Sequence, residues 1–351
     1  MEEGRVDGSQ PVEVVLGHQR LAYRDAPYND IVSNTVQKLL LAAPRGYCAG
    51  VDRAVQTVER ALKIHGAPVY VRKEIVHNKH VVEELRERGA IFVDEHTDVP
   101  EGAVCVFSAH GVAPSVRAGA EERRLQTIDA TCPRVTKVHR EAVRFAQDGY
   151  TIVLVGHSGH EEVEGTMGEA PDQIVLVESE EDVETLEVDD PERIAYVTQT
   201  TLAVDETTAI IDRLRERFPS IVGPRTDDIC YATTNRQAAV KQMAGSCDLM
   251  LVIGSRNSSN SVRLVEVARD CGTDAHLIDN AREVQEEWLQ GPRVVGISSG
   301  ASAPENLVAE LVDLFRARGV QDISEFDVVR EDVRFMLPKQ IREAIAAGEP
   351  G

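Results

Sequence analysis

Aromatic residues are scarce: they make up 4% of the 351 positions, with a single tryptophan. Aliphatic packing must therefore carry the core. No apolar run approaches the roughly 20 residues of a membrane span. No basic-then-apolar leader opens the chain, so the sequence predicts a cytoplasmic protein with no membrane partner. Basic charge is also in deficit. Lys and Arg number 38 against 59 Asp and Glu, for a formal net charge of -21. A surface of that sign excludes a general nucleic-acid or anionic-membrane face, which needs a basic field. It still permits a small local anion site. The six cysteines (Cys48, Cys105, Cys132, Cys230, Cys247 and Cys271) form no CxxC pair, and the chain is too long for a disulfide-stapled miniprotein. In a reducing compartment they remain as buried small hydrophobes, metal ligands or nucleophiles.

What is present is ordinary for a globular protein: 42% hydrophobic and 28% charged residues,. The length suits two or three domains. Residues 1–36 are polar and acidic with no sustained period, and read as a flexible extension. From Lys38 onward short apolar runs alternate with helical spacing. Strand candidates are Val69–Val71, Ala103–Phe107, Thr151–Val155, Ile174–Val177, Ala195–Thr198, Leu249–Ile253 and Val294–Ser298. Val51, Val55, Val58 and Leu62 recur at helical intervals. So do Val135, Val138, Ala142 and Phe145, and again Val308, Leu311, Val312 and Phe315,. The alternation predicts an α/β protein with mostly parallel sheets.

Three cysteines share a context. Cys48, Cys132 and Cys230 each sit between a strand-like run or turn and the start of a helix, 84 and 98 residues apart. Pro133 suits a first helical position, where a missing N–H costs nothing. Three similar α/β units would bring three such cysteines to one axis. Helix N-termini stabilise thiolate, and three converging thiolates can hold a [4Fe–4S] cluster while leaving its fourth iron open. The alternative is three buried cysteines at close helix–strand contacts. Cys105, in an apolar run, reads as core. Cys247 and Cys271 carry no motif.

Other residues suggest an anion site. Leu249–Ile253 leads into Gly254-Ser255-Arg256-Asn257-Ser258-Ser259-Asn260-Ser261, and Val294–Ser298 leads into Ser299-Gly300-Ala301-Ser302-Ala303-Pro304. Small hydroxyl and amide residues at a helix start bind phosphate, although helix capping uses the same residues. Neither loop is a Walker loop. His77, His110 and His160 each follow a strand-like run. Each is either a satisfied structural donor or, with the other two, part of a ligand crevice. The acidic run Glu161-Glu162-Val163-Glu164 beside His160 is either a solvated turn or the source of a general acid.

These segments together carry a resemblance. Pro44-Arg45-Gly46-Tyr47-Cys48-Ala49-Gly50, Phe107-Ser108-Ala109-His110-Gly111, Asp129-Ala130-Thr131-Cys132-Pro133, Gly156-His157-Ser158-Gly159-His160, Glu164-Gly165-Thr166-Met167-Gly168, Thr198-Gln199-Thr200-Thr201-Leu202 and Asp228-Ile229-Cys230-Tyr231 stand with the two Ser/Asn loops over about residues 38–340. In this set the chain resembles the LytB family of 4-hydroxy-3-methylbut-2-enyl diphosphate reductases. The resemblance implies three α/β domains in a pseudo-threefold cloverleaf around one [4Fe–4S] cluster held by Cys48, Cys132 and Cys230. The boundaries expected are 37–131, 132–229 and 230–337, with a C-terminal tail at 338–351. It implies reductive dehydroxylation of the diphosphate to isopentenyl and dimethylallyl diphosphate, the last step of the non-mevalonate isoprenoid pathway, with electrons from a one-electron donor such as ferredoxin or flavodoxin. By the same carry-over His77, His110, His160, Ser258, Ser259, Asn260 and Ser302 hold the diphosphate. Thr200 and Glu162 face the leaving hydroxyl, with Glu162 as proton donor. Two departures stand out: the extension at 1–36, and Glu161 where familiar members have proline. Glu161 either perturbs Glu162 or points to solvent. Other readings of these residues are a different three-cysteine cluster enzyme such as quinolinate synthase, or a non-catalytic phosphometabolite-binding protein.

Overall fold

Runs of four to six apolar residues become strands buried on both faces, as parallel sheets covered by helices require. The computed structural model describes residues 36–348, so residues 1–35 of the expected extension lie outside the described residues. Strand β1 (Lys38–Ala43) leads through a turn into helix α1 (Ala49–His65). Then follow β2 (Val69–Arg72), α2 (Lys79–Glu87), β3 (Ala90–Val93), β4 (Val104–Phe107), α3 (Pro114–Glu122) and β5 (Gln126–Asp129). The second stretch holds α4 (Pro133–Gln147), β6 (Thr151–Val155), α5 (Glu161–Met167), β7 (Ile174–Val177), α6 (Glu180–Thr185), β8 (Ile194–Thr198) and α7 (Val204–Arg217). The last holds α8 (Tyr231–Ala244), β9 (Leu249–Ile253), α9 (Ser259–Asp270), β10 (Asp274–Ile278), β11 (Val294–Ser299), α10 (Glu305–Ala317), β12 (Asp322–Asp327) and α11 (Lys339–Ala346).

The strands form three parallel sheets, ordered β3-β2-β4-β5, β7-β6-β8 and β10-β9-β11-β1-β12. The α/β class and the three units agree with the sequence reading. One boundary does not. A first unit starting at residue 37 would include β1, but β1 pairs with β11 on one side and β12 on the other. The reason is burial: Leu39, Leu40, Leu41 and Ala42 are all buried, and a strand apolar on both faces needs a neighbour on each edge and a layer above and below. The third unit is thus closed by the strand that opens the described chain. The expected tail also differs. It contains α11, whose Ile341 is buried in the core beside β2 and α1.

The loops that follow β2, β4, β6, β8, β9 and β11 contribute His77, His110, His160, Thr200, Ser258 and Ser302 to the lining of one cavity. The turn from β1 to α1 is fixed there. Gly46 takes a φ of 68°, a left-handed conformation that glycine adopts without steric cost. Its N–H donates to Ser299 Oγ at 2.8 Å, and its carbonyl accepts from Arg236 at 2.7 Å. Arg236 is fully buried on α8 and also donates to Ala232 O and the Glu331 carboxylate. This one guanidinium ties α8, the 44–48 turn and the segment after β12 together.

Candidate active site

Cys48, Cys132 and Cys230 are the N-cap residues of α1, α4 and α8. Each is held by its own backbone N–H, which donates to a carbonyl on a neighbouring loop. Cys48 donates to Ala301 (3.1 Å), Cys132 to Ala109 (2.9 Å) and Cys230 to Thr200 (3.0 Å). Ala301 adjoins Ser302, Ala109 adjoins His110, and Thr200 is itself a predicted site residue. The cysteine ring and the polar ring are therefore fixed to each other through main chain.

The twelve side chains expected at the site all line one cavity. They are Cys48, Cys132, Cys230, His77, His110, His160, Glu162, Thr200, Ser258, Ser259, Asn260 and Ser302. All but Cys230, which follows the loop between α7 and α8, lie in a loop or helix start after a strand's C-terminal end, where open α/β sheets bind ligands,. The three cysteines are half-buried in the cavity's lining. Burial, then the neighbouring Cys230, pushes the Cys48 thiol up. Burial and then Cys48 push Cys132 up to about 12. With both pushed up, the Cys48 and Cys132 thiols resist ionising unless a metal centre supplies positive charge,. Gly50 leaves the space they need, since a Cβ there would lie 2.6 Å from Cys132 Sγ and 3.7 Å from Cys48 Sγ. The Cys48 sulfur also accepts from Val51 N at 3.4 Å. A soft three-sulfur set at three helix N-termini fits an iron–sulfur cluster.

Opposite the thiols lie the donors. Ser258 caps α9, and Asn260 sits in its first turn. Asn260 Oδ1 accepts from Ala301 N at 2.8 Å, while its Nδ2 is buried with no partner among the described residues. At 4% exposure that N–H is an orphaned donor of the kind an anion satisfies. Ser302 Oγ donates to His77 O, and Ser259 Oγ to Thr201 O. The three imidazoles form one cluster: His77 and His110 stack with centroids 4.0 Å apart, and His160 meets both edge-on. His160 Nδ1 accepts from Glu162 N at 3.1 Å, so its proton sits on Nε2. Burial, reinforced by the charges of His110 and His77, pulls its pKa down to about 3. His160 is thus a neutral donor at physiological pH.

Glu162 is 2% exposed. Thr200 N donates to its Oε1 at 2.6 Å, and the Thr200 hydroxyl pairs with Oε2 at 2.9 Å. Burial raises its pKa to about 7, against the two Thr200 hydrogen bonds that favour the carboxylate. A carboxyl poised near neutrality in a cavity is equipped for proton transfer. Glu161 points away from both alternatives first considered for it. It accepts from Ser108 Oγ at 3.3 Å and pairs with His110 Nδ1 at 3.1 Å. Sequence reasoning passed over Glu74, which pairs with His77 Nδ1 at 3.2 Å. It also passed over Thr233, which donates to Thr200 O, and Arg134, which lines the cavity with its Nε buried and unpartnered among the described residues. Arg134 stands two positions after Cys132, and a cation there was the one signal available.

Comparison with known proteins agrees with this geometry. The family model described as LytB protein matches residues 39–316. The 4-hydroxy-3-methylbut-2-enyl diphosphate reductase of Nocardia farcinica is 59% identical over 320 residues, covering 91% of this chain and 95% of that protein. The enzyme of the same name from Rhodococcus opacus is 60% identical over 309 residues, covering 88% and 92%. Among solved structures, the E-1-hydroxy-2-methyl-but-2-enyl-4-diphosphate reductase of Plasmodium falciparum superposes with a TM-score of 0.87 at 38% identity, covering 90% of this chain and 99% of that one. A second, described as the terminal enzyme of the non-mevalonate pathway, gives 0.59 at 32% identity over 80% and 100%. Matched from its first strand to its last long helix, and folded like these reductases, the chain belongs to the LytB protein family.

Proposed function

We propose that this chain reduces 4-hydroxy-3-methylbut-2-enyl diphosphate to isopentenyl and dimethylallyl diphosphate, the terminal step of the non-mevalonate pathway. The observation that carries this reading is one cavity lined by three thiols, a near-neutral buried carboxyl and a set of anion donors. A sulfur set alone would suit quinolinate synthase equally, and a donor set alone would suit a phosphometabolite binder.

Cys48, Cys132 and Cys230 would hold one [4Fe–4S] cluster with its fourth iron open. When bound, that cluster supplies single electrons and a Lewis-acidic iron. The chain's own residues do the rest. His77, His110 and His160 with Ser258, Ser259, Asn260 and Ser302 bind the diphosphate and fix the substrate's orientation. Glu162 holds the proton for the leaving hydroxyl, and Thr200 keeps that carboxyl in place. As the C–O bond breaks, the hydroxyl takes this proton and departs as water. The carbon skeleton takes two electrons and one further proton. Once Glu162 has given its proton, the Thr200 N–H and hydroxyl stabilise the carboxylate that remains. Burial of Glu162 and Thr200 keeps bulk water from competing for that proton.

The two electrons come from a one-electron carrier protein such as a ferredoxin or flavodoxin. The net charge of -21 speaks against a nucleic-acid partner,. Among the described residues no helix is long and apolar enough to cross a membrane, and the reading places the reaction in the cytoplasm. The test is anaerobic incubation of iron-loaded protein with the diphosphate alcohol and a chemical reductant, followed by product analysis. Both five-carbon diphosphates are expected. Recovery of unchanged alcohol from iron-loaded protein contradicts the assignment.

A further inference from the structure

Two carboxylates stand behind the imidazoles without lining the cavity. Glu161 Oε2 pairs with Nδ1 of His110 at 3.1 Å, and Glu74 Oε2 pairs with Nδ1 of His77 at 3.2 Å. Both contacts are themselves anchored. Ser108 Oγ donates to the same Glu161 oxygen, and Asn257 Nδ2 donates to the same Glu74 oxygen at 2.8 Å. The imidazole nitrogens of His77 and His110 and the Glu161 carboxylate all lie within 4.8 Å of one another.

This arrangement fixes which proton each ring carries. A carboxylate accepts and cannot donate, so it selects the tautomer with hydrogen on Nδ1. A neutral ring so held shows a bare lone pair at Nε2, which repels an anion. Only the imidazolium can donate from both nitrogens at once. His160 differs, because its Nδ1 accepts from backbone and its Nε2 keeps the hydrogen while neutral.

We propose that Glu161 is a positioning residue for diphosphate capture: by accepting from Nδ1 of His110 it makes the imidazolium the only form of that ring that can donate to the anion, so that binding takes up a proton. Glu74 acts in the same way on His77. This rests on the diphosphate reading of the cavity. Two parallel cationic rings 4.0 Å apart repel unless charge of opposite sign flanks them, and the two carboxylates supply it from the far side. At Glu161 the electrostatics run in the same direction. Burial opposes ionisation of Glu161, but the His110 hydrogen bond and the charges of His110 and His77 outweigh it and hold its carboxyl below the usual range. At His77 the balance lies the other way: burial and then the His110 charge pull its pKa down, and the Glu74 hydrogen bond only partly offsets them. The groups around His110 are Glu161 from α5, His77 with Glu74 behind it from the loop after β2, His160 before α5, and the His139–Glu169 pair beyond Gly111.

The pH dependence follows by linkage. A complex that takes up a proton is tighter at low pH and weakens as pH rises. Without the carboxylate that flanks the ring, the weakening begins at lower pH.

The experiment uses cluster-loaded wild type, Glu161→Gln, Glu161→Asp, His110→Gln and the double variant. Binding of inorganic pyrophosphate is measured by calorimetry from about pH 6 to about pH 9, across the ordinary histidine range, in buffers of different ionisation enthalpy. Steady-state KM and kcat are measured in parallel. Glu161→Gln should weaken pyrophosphate about tenfold at the alkaline end, the scale of one charged hydrogen bond. The gap should narrow toward the acid end, and near neutral pH the variant, less protonated when free, should take up more protons per pyrophosphate than wild type. KM should follow the same profile, the larger effect falling on KM rather than kcat. Glu161→Asp should recover most of the loss, and Glu161→Gln should add little once His110 is Gln. A gap that ignores pH, or an undiminished effect in the His110→Gln background, would overturn the role. Pyrophosphate binding is read without turnover, so a wild type that binds it yet leaves the diphosphate alcohol unreduced counts against the functional reading alone.

Discussion

Glu162 and the three N-cap cysteines divide the chemistry between proton and electron, and each makes a separate prediction. The Glu162 carboxyl must be protonated to act, and burial sets its pKa at about 7. Turnover at saturating substrate should therefore be present below that value and lost as pH rises through it. Glu162→Gln keeps the shape and removes the transferable proton. Its kcat should fall by about 10² or more, with the alkaline limb gone and iron content intact. A variant that retains the limb would assign it to another group. For the sulfurs, Cys48→Ser, Cys132→Ser or Cys230→Ser should each strip most iron, because a hydroxyl replaces a soft thiolate poorly. Serine at Cys105, Cys247 or Cys271 should leave iron per chain unchanged; Cys105 lies fully buried in β4. Equal losses at all six positions would contradict the three-cysteine set. These cysteines were legible in the sequence because their context is local: a turn, a cysteine, a helix start. The contacts of Glu161 with Ser108 and His110, and of Glu74 with Asn257, were not, because those partners come from other loops and only the tertiary fold brings them near.

The helix starts are where small residues decide the outcome. At Gly50 two effects oppose. Alanine is better than glycine in a helix by about 1 kcal/mol, yet its Cβ would lie 2.6 Å from Cys132 Sγ. The apoprotein should tolerate Gly50→Ala within about 1 kcal/mol by urea unfolding, since an unbound cysteine can turn aside. Iron loading should drop sharply, since a ligating sulfur cannot. Normal iron content in Gly50→Ala would mean the thiols converge elsewhere. Arg236 gives the converse case. Arg236→Met removes the side-chain donor to the Gly46 and Ala232 carbonyls and leaves Glu331 with only Asn235 Nδ2 as a donor among the described residues. The expected cost is about 3–5 kcal/mol, the usual range for breaking a buried ion pair from one side. It should appear as a lower urea midpoint at unchanged slope. Strong periodicity made α1, α4 and α10 legible, and unbroken apolar runs marked β6, β7 and β9. The short β5, Gln-Thr-Ile-Asp, and the polar β12, Asp-Ile-Ser-Glu-Phe-Asp, had no such pattern. They are held by their neighbours' edges rather than by their own residues.

Across the whole molecule, the sheet that carries the Ser258–Asn260 and Ser302 loops is completed by β1, which is more than 200 residues away in sequence. Nothing local could announce that pairing. Only the all-apolar run from Leu39 to Ala42 hinted at a central strand. Leu39 is fully buried between layers, so Leu39→Ala should cost about 2–5 kcal/mol. Because β1 runs straight into the turn before Cys48, the same variant should lose iron at a lower urea concentration than wild type. The three units thus depend on one another through the cavity they share, and the test that reaches all of them at once reads the metal itself. Mössbauer spectroscopy of protein reconstituted anaerobically with ⁵⁷Fe, with and without the diphosphate alcohol, is that measurement. Three cysteines on a [4Fe–4S] cluster leave about one quarter of the iron without a thiolate. That fraction should form a distinct signal, and it alone should shift when the alcohol is added. Four equivalent irons indifferent to the alcohol, or protein that takes up zinc in place of iron, would contradict a three-cysteine cluster open to substrate.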